Sequence, residues 1–296
     1  MRFTAWLVLI ATLLLWSGNW IVARAVRAEI SPAVATVGRL LVVLALLLPF
    51  AWRGLKSKWA RLTRRDWLVL AALGLAGGGP HLTLQWLGLH YTTAASGILY
   101  LSTTPIFILL MSLPLGERIG PRQWLGVATS FCGVFLIATQ GDPAALSFNR
   151  GDLMALGSMV MWAGYTVLLR VRRDPLEVIE LLVMVCTFGV VFMTPWLSWE
   201  LLGQGRLQLG AEGALAVLYS AIGSLLLAYA GWSYVVSRLG AARAGITLHL
   251  MPAFGVVLSM IFLAEYPHWY HFAGIALVLA GVGLSSLKAP SAASTR

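Results

Sequence analysis

Of the 296 residues, 59% are hydrophobic and only 11% are charged, against about 25% charged in a soluble globular domain, so the chain is built for a lipid bilayer. The formal net charge of +10 falls on short loops between apolar runs; no polar stretch is long enough to fold a basic face, which excludes a nucleic-acid partner. Cys132 and Cys186 lie inside apolar runs, where a free Cys behaves as a small hydrophobe, so neither a disulfide nor a Cys/His metal cluster is implied.

The opening MRFTAWLVLIATLLLWSGNW pairs a basic residue with an apolar run but lacks a clear small-residue cleavage site, and it is read as an uncleaved first span. A spanning helix needs roughly 20 mostly apolar residues. Ten segments qualify: 4–26, 32–52, 67–89, 93–115, 123–140, 152–170, 177–199, 213–236, 244–263 and 269–287.

In span 1, Trp16, Asn19, Trp20 and Ala23 recur at helical spacing on one face. Span 2 carries a lone charge, Arg39, which could bind an anion, bond carbonyls or snorkel to the interface. Span 3 contains GGGPHLTLQW: Gly77, Gly78 and Pro80 are poor helix formers, and His81, Gln85 and Gly88 share a face. Span 4 offers Ser96, Tyr100, Thr103 or Thr104, and Pro105; span 6 offers Ser158, Trp162 and Tyr165. Span 8 supplies Ser224 and Tyr229, and span 9 supplies Thr247, His249 and Pro252. Ser96, Thr103, Ser158 and Ser224 read better as helix-packing residues, and most other tryptophans as an interfacial belt.

Lys and Arg concentrate in cytoplasmic loops. With the N-terminus inside, sixteen of the 21 basic residues fall on the inner side, four (Arg24, Arg27, Arg150 and Arg206) fall outside, and Arg39 is within a span, so both termini are expected in the cytoplasm.

The chain also repeats itself. E117-RIGPRQWL-G126-VATSFC-G133 recurs 148 residues later as E265-YPHWYHFA-G274-IALVLA-G281. W16-S-G18 with Arg24 is matched by W162-A-G164 with Arg170, and A94-A-S-G97 by A242-R-A-G245. Each half holds five spans, an odd number, so the second copy must enter the membrane from the opposite side. Inverted repeats of this kind build secondary transporters, with the substrate site near the midplane. Residues 1–145 and 146–290 are the expected repeats, followed by a cytoplasmic tail, 291–296. Trp16 and Trp162 are equivalent in this scheme, which fits either a pair packed at the pseudo-twofold axis or a pair contacting substrate.

WSGNWIVARAV, HYTTAASGILYLSTTPIFILLMSLPLGER and GITLHLMPAFGVVLSMIFLAE resemble the EamA-type members of the drug/metabolite transporter superfamily, and the Trp-rich first span is most similar to the YddG-type exporters of aromatic amino acids. The resemblance implies an all-α membrane protein of ten transmembrane helices, two inverted five-helix repeats around a central cavity lined by spans 1, 3, 4, 6, 8 and 9. It also implies a bacterial inner-membrane location.

All eleven acids fall in loops or at span ends. A proton antiporter for lipophilic cations needs a membrane carboxylate that holds proton and drug in turn, and an enzyme would need HExxH, GxSxG or a ligand cluster, none of which is present. The expected function is therefore export of a small metabolite, aromatic or hydrophobic amino acids first, by alternating access. Export of drugs or organic cations such as quaternary amines is the alternative. The expected substrate contacts are Trp16, Asn19, His81, Gln85, Tyr100, Thr104, Trp162, Tyr165, Tyr229 and His249, with Gly77, Gly78, Pro80, Pro105 and Pro252 as hinges. His81 and His249 could titrate near neutral pH and couple flux to protons. No cofactor is implied, the partners are substrate and lipid, and a monomer suffices.

Overall fold

The computed structural model describes residues 2–26, 30–91, 100–101, 103–116, 119–145, 150–204, 210–263 and 268–286. Ser96, Gly97, Glu117, Glu265 and the tail 291–296 lie outside the described residues. The regular elements are α1 (Arg2–Val26), α2 (Pro32–Lys58), α3 (Arg64–Gly77), α4 (Gly79–Tyr91), α5 (Thr104–Ser112), α6 (Pro121–Ala138) and α7 (Arg150–Val171). They continue with α8 (Val178–Gln204), α9 (Ala211–Tyr219), α10 (Ala228–Leu239), α11 (Ala241–Ile246), α12 (Leu250–Leu263) and α13 (Trp269–Ser286). These helices fall into the ten positions read from the sequence, because α3 with α4, α9 with α10 and α11 with α12 each form one interrupted span. Six spans among the described residues are by themselves long and apolar enough to cross a membrane.

Local chemistry explains where helices start. Ser31 accepts the Val34 N–H and Pro32 opens α2; Pro has no N–H to leave unsatisfied there. Thr63 and Asp66 form a reciprocal capping box at α3. The interruptions are equally local. Gly78 leaves helical geometry at φ −91° and ψ −135°, and α4 restarts with Pro80 in its first turn, where a missing N–H breaks no helical bond. Pro105 opens α5 in the same way. Pro252 lies in the first turn of α12, just after the 3₁₀ turn Thr247–His249. Span 8 is interrupted differently, by a π-helical stretch over Ser220–Leu227.

The three glycines also permit close approach. A Cβ on Gly77 would press into the Tyr165 ring, and one on Gly79 would meet Met193 and lie 2.7 Å from the Gly189 carbonyl oxygen. Span 3 therefore packs backbone-to-backbone on span 7 at Gly78 and Gly79 and seats the Tyr165 ring of span 6 against Gly77, and a side chain at any of these positions would push span 3 off its neighbour.

Two cores result. The larger takes its buried residues from spans 1, 2, 3, 4, 6, 7, 8 and 9. The smaller joins spans 4, 5, 9 and 10 through Leu109, Val127, Val134, Ile246, Val278 and Val282. The repeated glycines form the seam between α6 and α13. A Cβ on Gly133 would lie 2.5 Å from the Gly274 carbonyl oxygen, and one on Gly281 would lie 2.5 Å from the Ser130 nitrogen. Small residues let membrane helices approach this closely. Gly133→Leu is accordingly expected to cost about 1–3 kcal/mol or more by overpacking, seen as a lower Tm in detergent; an unchanged Tm would refute the seam.

Trp52, Trp59, Trp199 and Trp269 are more than half exposed, as lipid-interface residues should be. At the end of the bundle that carries the N-terminal start of α1, Lys58 bonds Glu180 at 2.7 Å and approaches Glu177 at 3.7 Å, linking spans 2 and 7.

Candidate functional site

Six rings meet at the middle of the bundle: Trp16 from α1, His81 from α4, Trp162 and Tyr165 from α7, and Tyr229 and Trp232 from α10. Trp162 and Tyr165, and likewise Tyr229 and Trp232, stand three residues apart and so project from one helix face. Trp162 is the hub. Its ring lies 5.1 Å from Trp16 in a T-shaped pair, 5.3 Å from His81 and 4.9 Å from Tyr165 in stacked pairs, and 5.1 Å from Tyr229. Trp16 also packs 5.4 Å from Trp232. All six side chains are buried, so the rings close the centre of the bundle in this state.

Hydrogen bonds hold the rings to the interrupted backbone. Trp16 Nε1 donates to the Ser224 carbonyl at 3.0 Å, inside the π-helical stretch. The Tyr229 hydroxyl donates to the Gly77 carbonyl at 2.6 Å, at the break of span 3. His81 Nδ1 lies 2.9 Å from the Ser158 carbonyl and must donate to it, while Ser158 Oγ donates to the His81 carbonyl at 3.1 Å. Trp232 Nε1 donates to Thr166 Oγ1 at 3.1 Å. A broken helix leaves carbonyls without an intrahelical partner, and here the Trp16 N–H and the Tyr229 O–H each bond a carbonyl at an interruption.

Arg39 of α2 is only 1% exposed. Its Nη2 donates to Thr36 Oγ1 at 3.3 Å, and its Nε has no partner among the described residues. The side chain does not snorkel, because α2 is covered at this level by α8, where Gly189 meets Leu40, and by α9, where Val217 meets Gly38. Arg39 also borders a small cavity of about 10 Å³, room for about one water, between α1, α2, α4 and α9, together with Trp86, Ala35, Ala216 and Ser220.

The other expected site residues are distributed more widely. Asn19 Oδ1 accepts the Ser220 hydroxyl at 2.6 Å, on the side of this cavity. Gln85 is half-buried, one turn beyond His81. Tyr100 is buried close to Asp152, which is itself fully buried at the start of α7; an acid at a span end is thus shielded from solvent. Thr104 is fully buried with its hydroxyl unpaired among the described residues. His249 is not brought to the rings: it bonds Ser130 of α6, where spans 5 and 9 meet. Sequence reasoning passed over Trp232, although it stands three residues after Tyr229, and treated Ser158 as packing when it holds His81.

A helical membrane bundle whose broken helices present polar and aromatic groups at its centre has the build of a secondary transporter. The chain belongs to the EamA-like transporter family, whose model matches residues 3–139 and again 149–287. It is 28% identical to an uncharacterized transporter of Archaeoglobus fulgidus over 95% of this chain and 97% of that one. It is also 28% identical to the "Probable terminal-alkyne amino-acid exporter" of Streptantibioticus cattleyicolor, over 74% of this chain and 73% of the other. A riboflavin transporter of Vibrio cholerae is 27% identical over 42% of this chain and 45% of its own. A protein of known crystal structure shares the fold, with TM-score 0.77 at 21% identity over 97% of both chains.

Proposed function

We propose that the protein exports aromatic and other hydrophobic amino acids across the inner membrane, in the manner of the YddG-type exporters, by alternating access between two inverted repeats, 1–145 and 146–290. The observation that carries this reading is the ring cluster anchored to broken helices. Rings that pack on one another in the closed state can pack on a ring-bearing substrate when the repeats rock apart, and each edge-to-face or offset contact is worth about 0.5–1.5 kcal/mol. The interruptions at Gly78, ahead of Pro105 and ahead of Pro252 sit where such rocking needs compliant backbone, which makes Gly77, Gly78, Pro80, Pro105 and Pro252 the hinge positions. The double match of the family supports duplication, and the amino-acid exporter among the relatives supports the substrate class.

The test is flux of radiolabelled phenylalanine and tryptophan in proteoliposomes, with and without a pH gradient. Saturable flux of these in preference to alanine is expected. Preferential, proton-driven flux of a quaternary amine would replace the amino-acid reading with the organic-cation one.

A further inference from the structure

We propose that the loop joining spans 2 and 3, with the outward face of α2 that leads into it, binds an anionic phospholipid of the leaflet at that end of the bundle. The lipid phosphate would sit among Arg53, Lys56 and Arg61, and an acyl chain would lie along α2. The inference goes beyond the export reading and does not depend on what the protein carries.

Six basic residues, Arg53, Lys56, Lys58, Arg61, Arg64 and Arg65, fall within 13 positions. Orienting a span needs some Lys and Arg in the loops of one side, but not this density: the connections of spans 4–5, 6–7 and 8–9 at the same end carry two or three each. Lys58 is committed inside the protein, to Glu180 and Glu177. The other five are exposed, and among the described residues no ion pair includes them. The one acid of the loop, Asp66, bonds Thr63 in the capping box of α3. The loop is also held in place. Its Leu62 N–H donates to the Trp59 carbonyl at 3.2 Å, the Trp59 ring packs edge-on against Trp67 at 4.6 Å, and Trp67 lies 6.3 Å from Phe188 of α8.

The same helix supplies the apolar half of a lipid site. Leu41, Ala45, Leu48, Trp52, Lys56 and Trp59 follow one another at steps of three and four and are all exposed, so a single outward stripe runs from apolar residues into a cation. From Leu41 to Trp52 the stripe covers about 16 Å, roughly half of the ~30 Å hydrocarbon core and so the reach of one acyl chain. Exposed tryptophans mark the headgroup level, and Arg53 and Lys56 stand between Trp52 and Trp59. On α3 the order recurs: Leu75 and Leu68 are exposed, and Arg64 follows one turn nearer the loop. A basic cluster of this size beside a spanning helix attracts anionic headgroups. A free phosphate would make no use of the apolar stripe, and a zwitterionic headgroup would bring its own cation into the cluster.

The experiment titrates the purified full-length protein in detergent with phosphatidylglycerol or with phosphatidylcholine of the same chains, and native mass spectrometry of the retained lipid gives an apparent Kd for each. Phosphatidylglycerol is expected to bind at least tenfold more tightly. Each cation near an anionic headgroup contributes roughly fivefold, so the triple variant Arg53→Gln, Lys56→Gln, Arg61→Gln should weaken phosphatidylglycerol at least tenfold. A control triple, Arg173→Gln, Arg238→Gln, Arg243→Gln, removes the same charge from exposed positions at the same end and should stay within twofold of wild type. Trp52→Ser with Trp59→Ser keeps every charge but strips the aromatic seat, and should weaken both lipids at least threefold. All these positions are exposed, so the fold is expected to survive the changes. Equal affinity for the two lipids, or an equal loss in both triple variants, overturns the site and leaves only general surface charge; full affinity in the tryptophan variant overturns the chain's place on α2. Glycerol phosphate in tenfold excess over the lipid should displace none of it, and complete displacement would make this a site for a soluble anion instead. No arm reads transport, so failure of the export reading would leave this result standing, and the reverse.

Discussion

Trp162→Ala is expected to reduce amino-acid flux at least tenfold and to lower stability more than any other single truncation in the bundle. The Trp162 ring contacts Trp16, His81, Tyr165, Tyr229 and Trp232, with centroids between 4.9 and 6.2 Å away. Truncating a buried Trp to Ala costs about 3–5 kcal/mol, a large part of the 5–15 kcal/mol that holds a typical domain together. Loss of flux through loss of fold would be uninformative, so Trp162→Phe is the decisive companion. It keeps an aromatic face for Tyr165 and His81 and should lower Tm by only a few degrees, yet flux should still fall because the indole's breadth is gone. Wild-type flux from Trp162→Ala in reconstituted, correctly inserted protein would sink the assignment of this ring to the transport site.

Gly77→Ala is expected to cost about 1–3 kcal/mol or more by overpacking and to lower flux as well, although it adds a single methyl group. That methyl has nowhere to go: its position would fall on Cδ2 of Tyr165 and 2.6 Å from Cε2 and Cγ of that ring, and the ring is itself fully buried and stacked on Trp162. The Gly77 carbonyl also accepts the Tyr229 hydroxyl, so displacing span 3 loosens its tie to span 8. Tyr165→Leu should partly rescue the Tm of Gly77→Ala, because a flexible side chain can yield where a ring cannot. A double-mutant cycle measures this coupling, and strictly additive effects would show that the clash is not the cause.

Much of the architecture was legible before any coordinates. Hydropathy alone placed ten spans, and the repeated Glu–Gly–Gly spacing marked α6 and α13 as partners in pattern. What the pattern meant was not visible. Gly126 and Gly133 face Gly281 and Gly274 in one antiparallel seam, so the clearest repeat signal in the chain records helix packing rather than chemistry. GGGPHLTLQW divides in the same way. Gly77 seats the Tyr165 ring of span 6, Gly78 and Gly79 serve the contact of span 3 with span 7, Pro80 restarts the helix, and His81 stacks on the Trp162 ring.

The sequence by itself determined the solvent, the number of spans and the places where helices must break, because these depend on apolar run length and on the backbone limits of Gly and Pro. It also singled out Trp16 and Trp162, whose rings pack on each other. Only the tertiary structure decided which residues meet. Helical spacing puts His249 and His81 at similar depth, yet one faces Ser130 in the outer core and the other stacks on Trp162, since depth does not set rotation about the helix axis. The π-helical stretch of span 8 has no sequence signature of comparable strength, because an i→i+5 turn is imposed by packing rather than by propensity. Arg39 could have snorkelled by its length and charge. It stays inside because Gly189 of α8 and Val217 of span 8 pack on its neighbours Leu40 and Gly38, and that enclosure is a property of the whole bundle.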